Sequence, residues 1–226
     1  IPPDDDCELW DVRLTNTGDT PRRLSVFGYC EFSFHSIDMD NQNFQMSLYS
    51  ADARYTDGLI AYRLRYENNA DEFFACTETP HSHDCLRDAF IGAYRTERNP
   101  LGVERGTLSA SQEMGGNHCG ALHRRVTLAP GETARLRFLL GPGDAQTGAC
   151  LRRKYGDAET DRAFTALATH WARKLSLLTV RTPDADMNAS LNLWNLYQSQ
   201  VNVTFSRFAS FIEVGGRTGL GYRDTA

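Results

Sequence analysis

Apolar and polar residues alternate over most of the first 140 positions. Trp10, Val12 and Leu14 take turns with polar residues up to Thr17-Gly18-Asp19, and Leu24, Val26, Gly28, Cys30, Phe32 and Phe34 resume the pattern. A period of two marks a strand with one buried face, and the turn between these runs predicts that the two strands pair antiparallel. Ile60, Tyr62, Leu64 and Tyr66 form a third run. Val126 and Leu128 then lead through Ala129-Pro130-Gly131-Glu132 into Ala134, Leu136, Phe138 and Leu140. Proline presets a negative φ and glycine supplies a positive one, so this tetrapeptide predicts a hairpin. The runs together predict an antiparallel β-sandwich in which residues 107–120, rich in glycine and polar side chains, form a long loop.

After Gly141-Pro142-Gly143 the period changes. Phe164, Leu167, Ala168, Trp171, Leu175 and Leu178 fall at helical spacing in a stretch without internal glycine or proline, which predicts an amphipathic helix. Pro183-Asp184 offers a break and a cap. Met187, Leu191, Trp194, Tyr197 and Val201 follow on a second helical face, and at that spacing Trp171, Trp194 and Tyr197 are expected to be packed core. The order, strands first and helices after, argues for separate domains. The boundaries predicted are a β-sandwich over 1–144, a helical linker over 145–183 and the beginning of a further helical domain over 184–226.

Composition narrows what such a chain does. Its 226 residues are 41% hydrophobic and 23% charged, a globular balance that excludes disorder and fibrous folds. With 24 basic against 29 acidic residues and no long basic block, nucleic acid is not an expected partner. No run of residues is long and apolar enough for a membrane helix, so no membrane partner is expected either. The six cysteines are spread along the chain without a C-x-x-C pair and read as reduced thiols of a cytoplasmic protein. The chain starts at Ile1 without methionine, so it is expected to be an internal fragment lacking the amino-terminal part of its sandwich.

Two clusters carry candidate chemistry. His81-Ser82-His83-Asp84-Cys85, with His118-Cys119 further on, offers zinc-ligand residue types at a spacing that fits no standard zinc module, so no metal is expected. Its alternative role is contact with substrate from a partner subunit. At the carboxyl end Gly215, Gly216, Gly219 and Gly221 bracket Arg217 and precede Arg223-Asp224. Glycines let backbone approach a ligand, and neighbouring arginine and aspartate supply the forked donors and acceptors that vicinal sugar hydroxyls require. No Gly-Lys-Ser/Thr follows, which excludes a P-loop.

The stretch from Asn188 onward, with Asn-x-x-x-Asn-x-Trp-x-x-Tyr-Gln, then Thr204-Phe205-Ser206-Arg207, then Gly-Arg-Thr-Gly-Leu-Gly-Tyr-Arg-Asp-Thr, resembles the start of the catalytic domain in glycoside hydrolase family 94, the disaccharide phosphorylases. About 40 residues carry the match. The resemblance implies an amino-terminal super-sandwich, a helical linker and an (α/α)6 barrel that begins at residue 184. It implies that Arg217, Arg223 and Asp224 hold the non-reducing sugar and that Arg207 holds phosphate. Seven positions separate Arg217 from Asp224, one more than in cellobiose-type members, which favours the chitobiose branch. The implied reaction is inverting cleavage of a β-linked disaccharide by inorganic phosphate, with phosphate as co-substrate, no organic cofactor and a homodimeric assembly. The family's general acid is an aspartate far downstream, so no catalytic residue is expected within these 226 positions. The competing readings are a cellobiose-type phosphorylase, a non-catalytic carbohydrate-binding module and an ordinary (α/α)6 hydrolase.

Overall fold

A computed structural model describes residues 1–32, 50–65 and 71–205. Phe34 and Tyr66, the last members of two alternating runs, lie outside them. The chain divides into two compact units, Ile1–Ala163 and Phe164–Ala226, and each is described by itself.

Among the described residues the first unit has eight strands: β1 (Glu8–Thr15), β2 (Arg22–Glu31), β3 (Ala51–Thr56), β4 (Leu59–Leu64), β5 (Asp71–Cys76), β6 (Ser82–Leu86), β7 (His118–Leu128) and β8 (Thr133–Pro142). They form a five-stranded sheet in the order β1-β8-β5-β4-β3 and a three-stranded sheet in the order β2-β7-β6, with every pairing antiparallel. Two short helices, α1 (Arg87–Ile91) and α2 (Leu101–Arg105), interrupt the strands between β6 and β7. Helices α3 (Ala145–Lys154) and α4 (Asp157–Leu175) follow β8.

Two expected pairings are corrected. Strands β1 and β2 do not pair with each other, and β7 and β8 are not a hairpin: β1 pairs with β8 in one sheet and β2 with β7 in the other. The turn chemistry at Ala129-Pro130-Gly131-Glu132 is as expected, since the Glu132 amide donates to the Ala129 carbonyl at 3.0 Å and Gly131 has φ +76°. What the turn does is carry the chain from one sheet to the other. Asn16 locks this corner to its neighbour: it is buried, its Nδ2 donates to the carbonyls of Thr20 and Leu128, and its Oδ1 accepts from the Gly18 amide. Local turn residues fix a bend, but whether the flanking strands pair depends on which other strands bury their faces.

Between the sheets lies one core built from alternate residues: Ile60, Tyr62, Leu64, Phe74, Leu136 and Phe138 from one side meet Cys30, Cys85 and Leu122 from the other. The sheets approach so closely at Gly28 that a β-carbon there would lie 2.5 Å from the Phe138 ring. The outer face of the larger sheet is covered too, by α3, Tyr155 at its end and the start of α4, which pack on Leu59, Phe73, Ala75 and Leu139. Phe90, Ile91 and Leu108 cover the outer face of the smaller sheet. This gives four layers, and it accounts for β5: the sequence Phe73-Phe74-Ala75-Cys76 is fully buried on both faces and therefore shows no alternation.

The first turn of α4 is held to the sheet by an ion-pair ladder. Arg135 grips Asp11 with two bonds of 2.6 and 3.1 Å and reaches Asp161 at 2.7 Å, while Arg137 pairs with Asp157. Burial pushes the Asp11 carboxyl up, but hydrogen bonds from Arg135 and Arg13 outweigh it and hold it below the usual aspartate range. The Arg135 hydrogen bond lowers Asp161 as well.

Candidate functional site

The second unit begins within α4 and continues through α5 (Ala185–Ala189), a π-helical turn (Ser190–Trp194) and α6 (Asn195–Phe205). Asp184 caps α5 as expected, its Oδ1 accepting from the amides of Asp186 and Met187 at 2.9 and 3.1 Å. The break at Pro183 is thus a helix start, with proline keeping the preceding residue out of helical conformation.

The asparagines of the Asn-x-x-x-Asn motif have a defined task. Asn188 accepts from the Thr182 amide at 2.8 Å and donates to the Thr182 carbonyl at 2.9 Å. Asn192 does the same to Val180, at 2.7 and 2.8 Å. Positions four apart on a helix rise about 6 Å, and positions two apart in extended chain are about 6.6 Å apart. The two amides therefore match alternate residues of an extended segment running the opposite way. Sequence reasoning registered the spacing but missed this clasp, whose signal is two side-chain amides at i and i+4 behind a capped extended stretch. Leucine at position 192 is expected to leave the Val180 amide and carbonyl unpaired and cost about 1–3 kcal/mol. Thermal unfolding and the exchange rate of the Val180 amide hydrogen measure it, and aspartate at the same position, which keeps only the acceptor, falls between.

The expectation that Trp171, Trp194 and Tyr197 are core is corrected for two of them. Trp171 is half-buried and packs on Tyr197 at 5.5 Å between ring centroids, and Tyr197 meets Trp194 edge-on at 6.5 Å. Trp194 is 57% exposed and Tyr197 38%. The helical period does place them on one side, but among the described residues that side packs only on α4, so the row of rings is covered at its Trp171 end and open at its Trp194 end. Lys174 lies 5.6 Å from the Trp171 ring centroid and donates to Gln200 at 3.2 Å.

Arg207, Arg217, Arg223 and Asp224 lie outside the described residues, two or more positions beyond the end of α6. The described residues supply the clasped, capped helix that precedes them in the chain.

The histidine cluster of the sandwich is built into the fold. His83 stacks on Tyr55 at 3.9 Å, His123 stacks on Phe27 at 4.4 Å and bonds Ser82 through Nδ1 at 3.0 Å, and His118 donates through Nε2 to the Ala51 carbonyl. Burial lowers the His123 imidazole to about 4, so it is neutral. One oxygen of Asp84 accepts from the amides and hydroxyls of both Ser109 and Ser111 at 2.6–3.0 Å. These bonds anchor the loop that runs from α2 to β7. Burial pushes the Cys85 thiol up to about 12, which makes it a poor nucleophile and a poor ligand. Among the described residues no three His, Cys, Asp or Glu side chains converge on a metal-sized site.

Comparison with known proteins gives the same two-part division. The family model of the glycosyl hydrolase 94 supersandwich domain matches residues 1–168, and that of the glycosyl hydrolase 94 superfamily catalytic domain matches residues 170–226. Over its whole length the chain is 49% identical to the N,N'-diacetylchitobiose phosphorylase of Vibrio proteolyticus and 48% identical to that of Vibrio furnissii. Over 95% of its length it is 28% identical to a 3-O-beta-D-glucopyranosyl-beta-D-glucuronide phosphorylase of Paenibacillus borealis. The chain spans 29% of the length of each of these relatives.

Proposed function

Because this chain belongs to glycosyl hydrolase family 94, we propose that it is part of an inverting phosphorylase that cleaves N,N'-diacetylchitobiose with inorganic phosphate. The products are α-N-acetylglucosamine 1-phosphate and N-acetylglucosamine. The observation that carries this reading is near-50% identity over the whole chain to two relatives named for that activity. The glycine-rich run ending in Arg223-Asp224 supports it from the sequence side. In the same reading, residues 184–226 open an (α/α)6 barrel behind a linker over 145–183.

In the proposed mechanism an aspartic acid beyond these residues protonates the glycosidic oxygen as its bond to the anomeric carbon breaks. A phosphate oxygen forms the new bond from the opposite face, so a β-linkage becomes an α-phosphate. Phosphate is already an anion and needs no general base. It must be held and desolvated, which the Arg207 guanidinium suits through bidentate contacts. Arg217, Arg223 and Asp224 fix the sugar ring for in-line attack. Asp224 binds sugar and is not the acid.

No helix among the described residues is long and apolar enough to cross a membrane. Five of the six cysteines are buried free thiols, which suits a reducing compartment and supports placing the protein in the cytoplasm, as a homodimer by family resemblance. The test of the reaction class is phosphate dependence. The full-length protein is expected to consume N,N'-diacetylchitobiose only when phosphate is supplied, and equal consumption in phosphate-free buffer would identify a hydrolase.

A further inference from the structure

The sandwich carries a concave surface of its own. A cleft of about 420 Å³ opens where β3, β4 and the start of α3 meet, a volume within the range of small-ligand sites. Strand alternation builds its wall. Ala51 and Ala53 of β3 and Ile60, Tyr62 and Leu64 of β4 point into the core, so Arg54, Ala61 and Arg63 point outward. Asp52, Arg65, Asp71, Asp144 and Gln146 complete the polar lining.

Three arginines and three aspartates share this cleft, and their arrangement leaves binding capacity over. Arg63 takes both oxygens of Asp71 at 2.6 and 2.9 Å, and Arg65 reaches one oxygen of Asp52 at 2.7 Å. Asp144 spends its Oδ1 on capping α3 through Thr147. Among the described residues the Arg54 guanidinium has no hydrogen-bond or ion-pair partner, and Asp52 Oδ1 and Asp144 Oδ2 accept nothing. Asp52, Arg63, Asp71 and Asp144 line this one cleft, and Arg63 is held above the usual arginine value by Asp71 first and also by the charges of Asp52 and Asp144.

The formal charges of the lining sum to zero, which gives the cleft no net charge to attract a free anion such as phosphate. Its remaining groups are forked donors beside carboxylate acceptors, with Ala61 and Ala145 as small apolar floor. A hydroxyl both donates and accepts, so a row of such groups complements adjacent hydroxyls on a sugar ring. We propose that this cleft is a secondary saccharide site that binds a neutral mono- or disaccharide on the sandwich, apart from the glycine-rich loop. The choice of probe and of the background variant, though not the site, rests on the phosphorylase reading.

The experiment uses full-length protein carrying Asp224→Asn, which under the proposed sugar-binding role of Asp224 is expected to disable binding at the glycine-rich loop. N,N'-diacetylchitobiose is titrated without phosphate and followed by calorimetry and saturation-transfer NMR. Weak one-to-one binding is expected to persist, and to weaken at least about tenfold when Arg54→Ala or Gln146→Trp is added. Both positions are exposed, so folding is preserved, and the tryptophan fills the cleft. Absence of binding in Asp224→Asn, or unchanged affinity in both double variants, would overturn the site. Displacement of the saccharide by inorganic phosphate would overturn its neutral-ligand assignment. Turnover by the otherwise unmodified enzyme tests the phosphorylase reading independently.

Discussion

Replacing Glu72 by methionine is expected to stabilise the protein at about pH 8.5 by several kcal/mol and to change little near pH 4.5. Glu72 sits on β5, pointing between the sheets beside Tyr62, its register partner on β4. It is 1% exposed, and among the described residues neither carboxylate oxygen has a hydrogen-bond partner. Burial raises its carboxyl to about 8 from an ordinary value of 4.5. Between those values the folded protein holds a proton that the unfolded chain has released, so stability falls as pH rises through the window and levels off above it. The fall approaches about 5 kcal/mol as an upper figure, since each unit of separation is worth about 1.4 kcal/mol. Methionine has similar volume and no charge to desolvate, and removing an unpaired buried charge in favour of an apolar side chain is stabilising. Asp11 and Asp161 act with the opposite sign at lower pH, because their lowered carboxyls contribute stability that is lost once acid protonates them. Urea denaturation of wild type and Glu72→Met near pH 5 and pH 8.5 reads the difference. Equal midpoint shifts at both values would show that Glu72 has found a partner.

Loss of sugar contacts should be larger still, and in activity rather than stability. If Asp224 and Arg217 hold the sugar as proposed, Asp224→Asn or Arg217→Ala in the full-length protein is expected to lower kcat/KM by about 10²- to 10⁴-fold, because each would leave polar groups of the substrate unpaired and remove several kcal/mol of transition-state binding. Arg207→Ala is expected to act mainly through phosphate, raising its KM more than that of the disaccharide. Steady-state kinetics with each substrate varied in turn separates the two patterns. Near wild-type turnover in Asp224→Asn or Arg217→Ala would remove those residues from the sugar site.

Much of the architecture could be read from residue order, and what could not has physical causes. β1, whose outer face carries Asp11, Arg13 and Thr15, announces itself by alternation, whereas β5 does not, because helices cover its second face. Pro130-Gly131 specifies a bend through its dihedral preferences alone, yet the sheets to which β7 and β8 belong depend on long-range burial that no tetrapeptide encodes. The cap at Asp184 was legible because it is local. The clasp by Asn188 and Asn192 was visible only as a spacing, since its partners are backbone groups and any residue can supply those. Trp194 and Tyr197 fell on the expected helical face, but periodicity reports which side is apolar and says nothing of what packs there. The sugar and phosphate assignments of Arg207, Arg217, Arg223 and Asp224 come from motif resemblance.

The most direct test of the central claim is phosphorus NMR of the full-length protein incubated with N,N'-diacetylchitobiose and phosphate. The proposed reaction predicts N-acetylglucosamine 1-phosphate in the α configuration, formed in step with free N-acetylglucosamine and absent when phosphate is withheld. A β-configured sugar phosphate, or cleavage with no sugar phosphate at all, would contradict it.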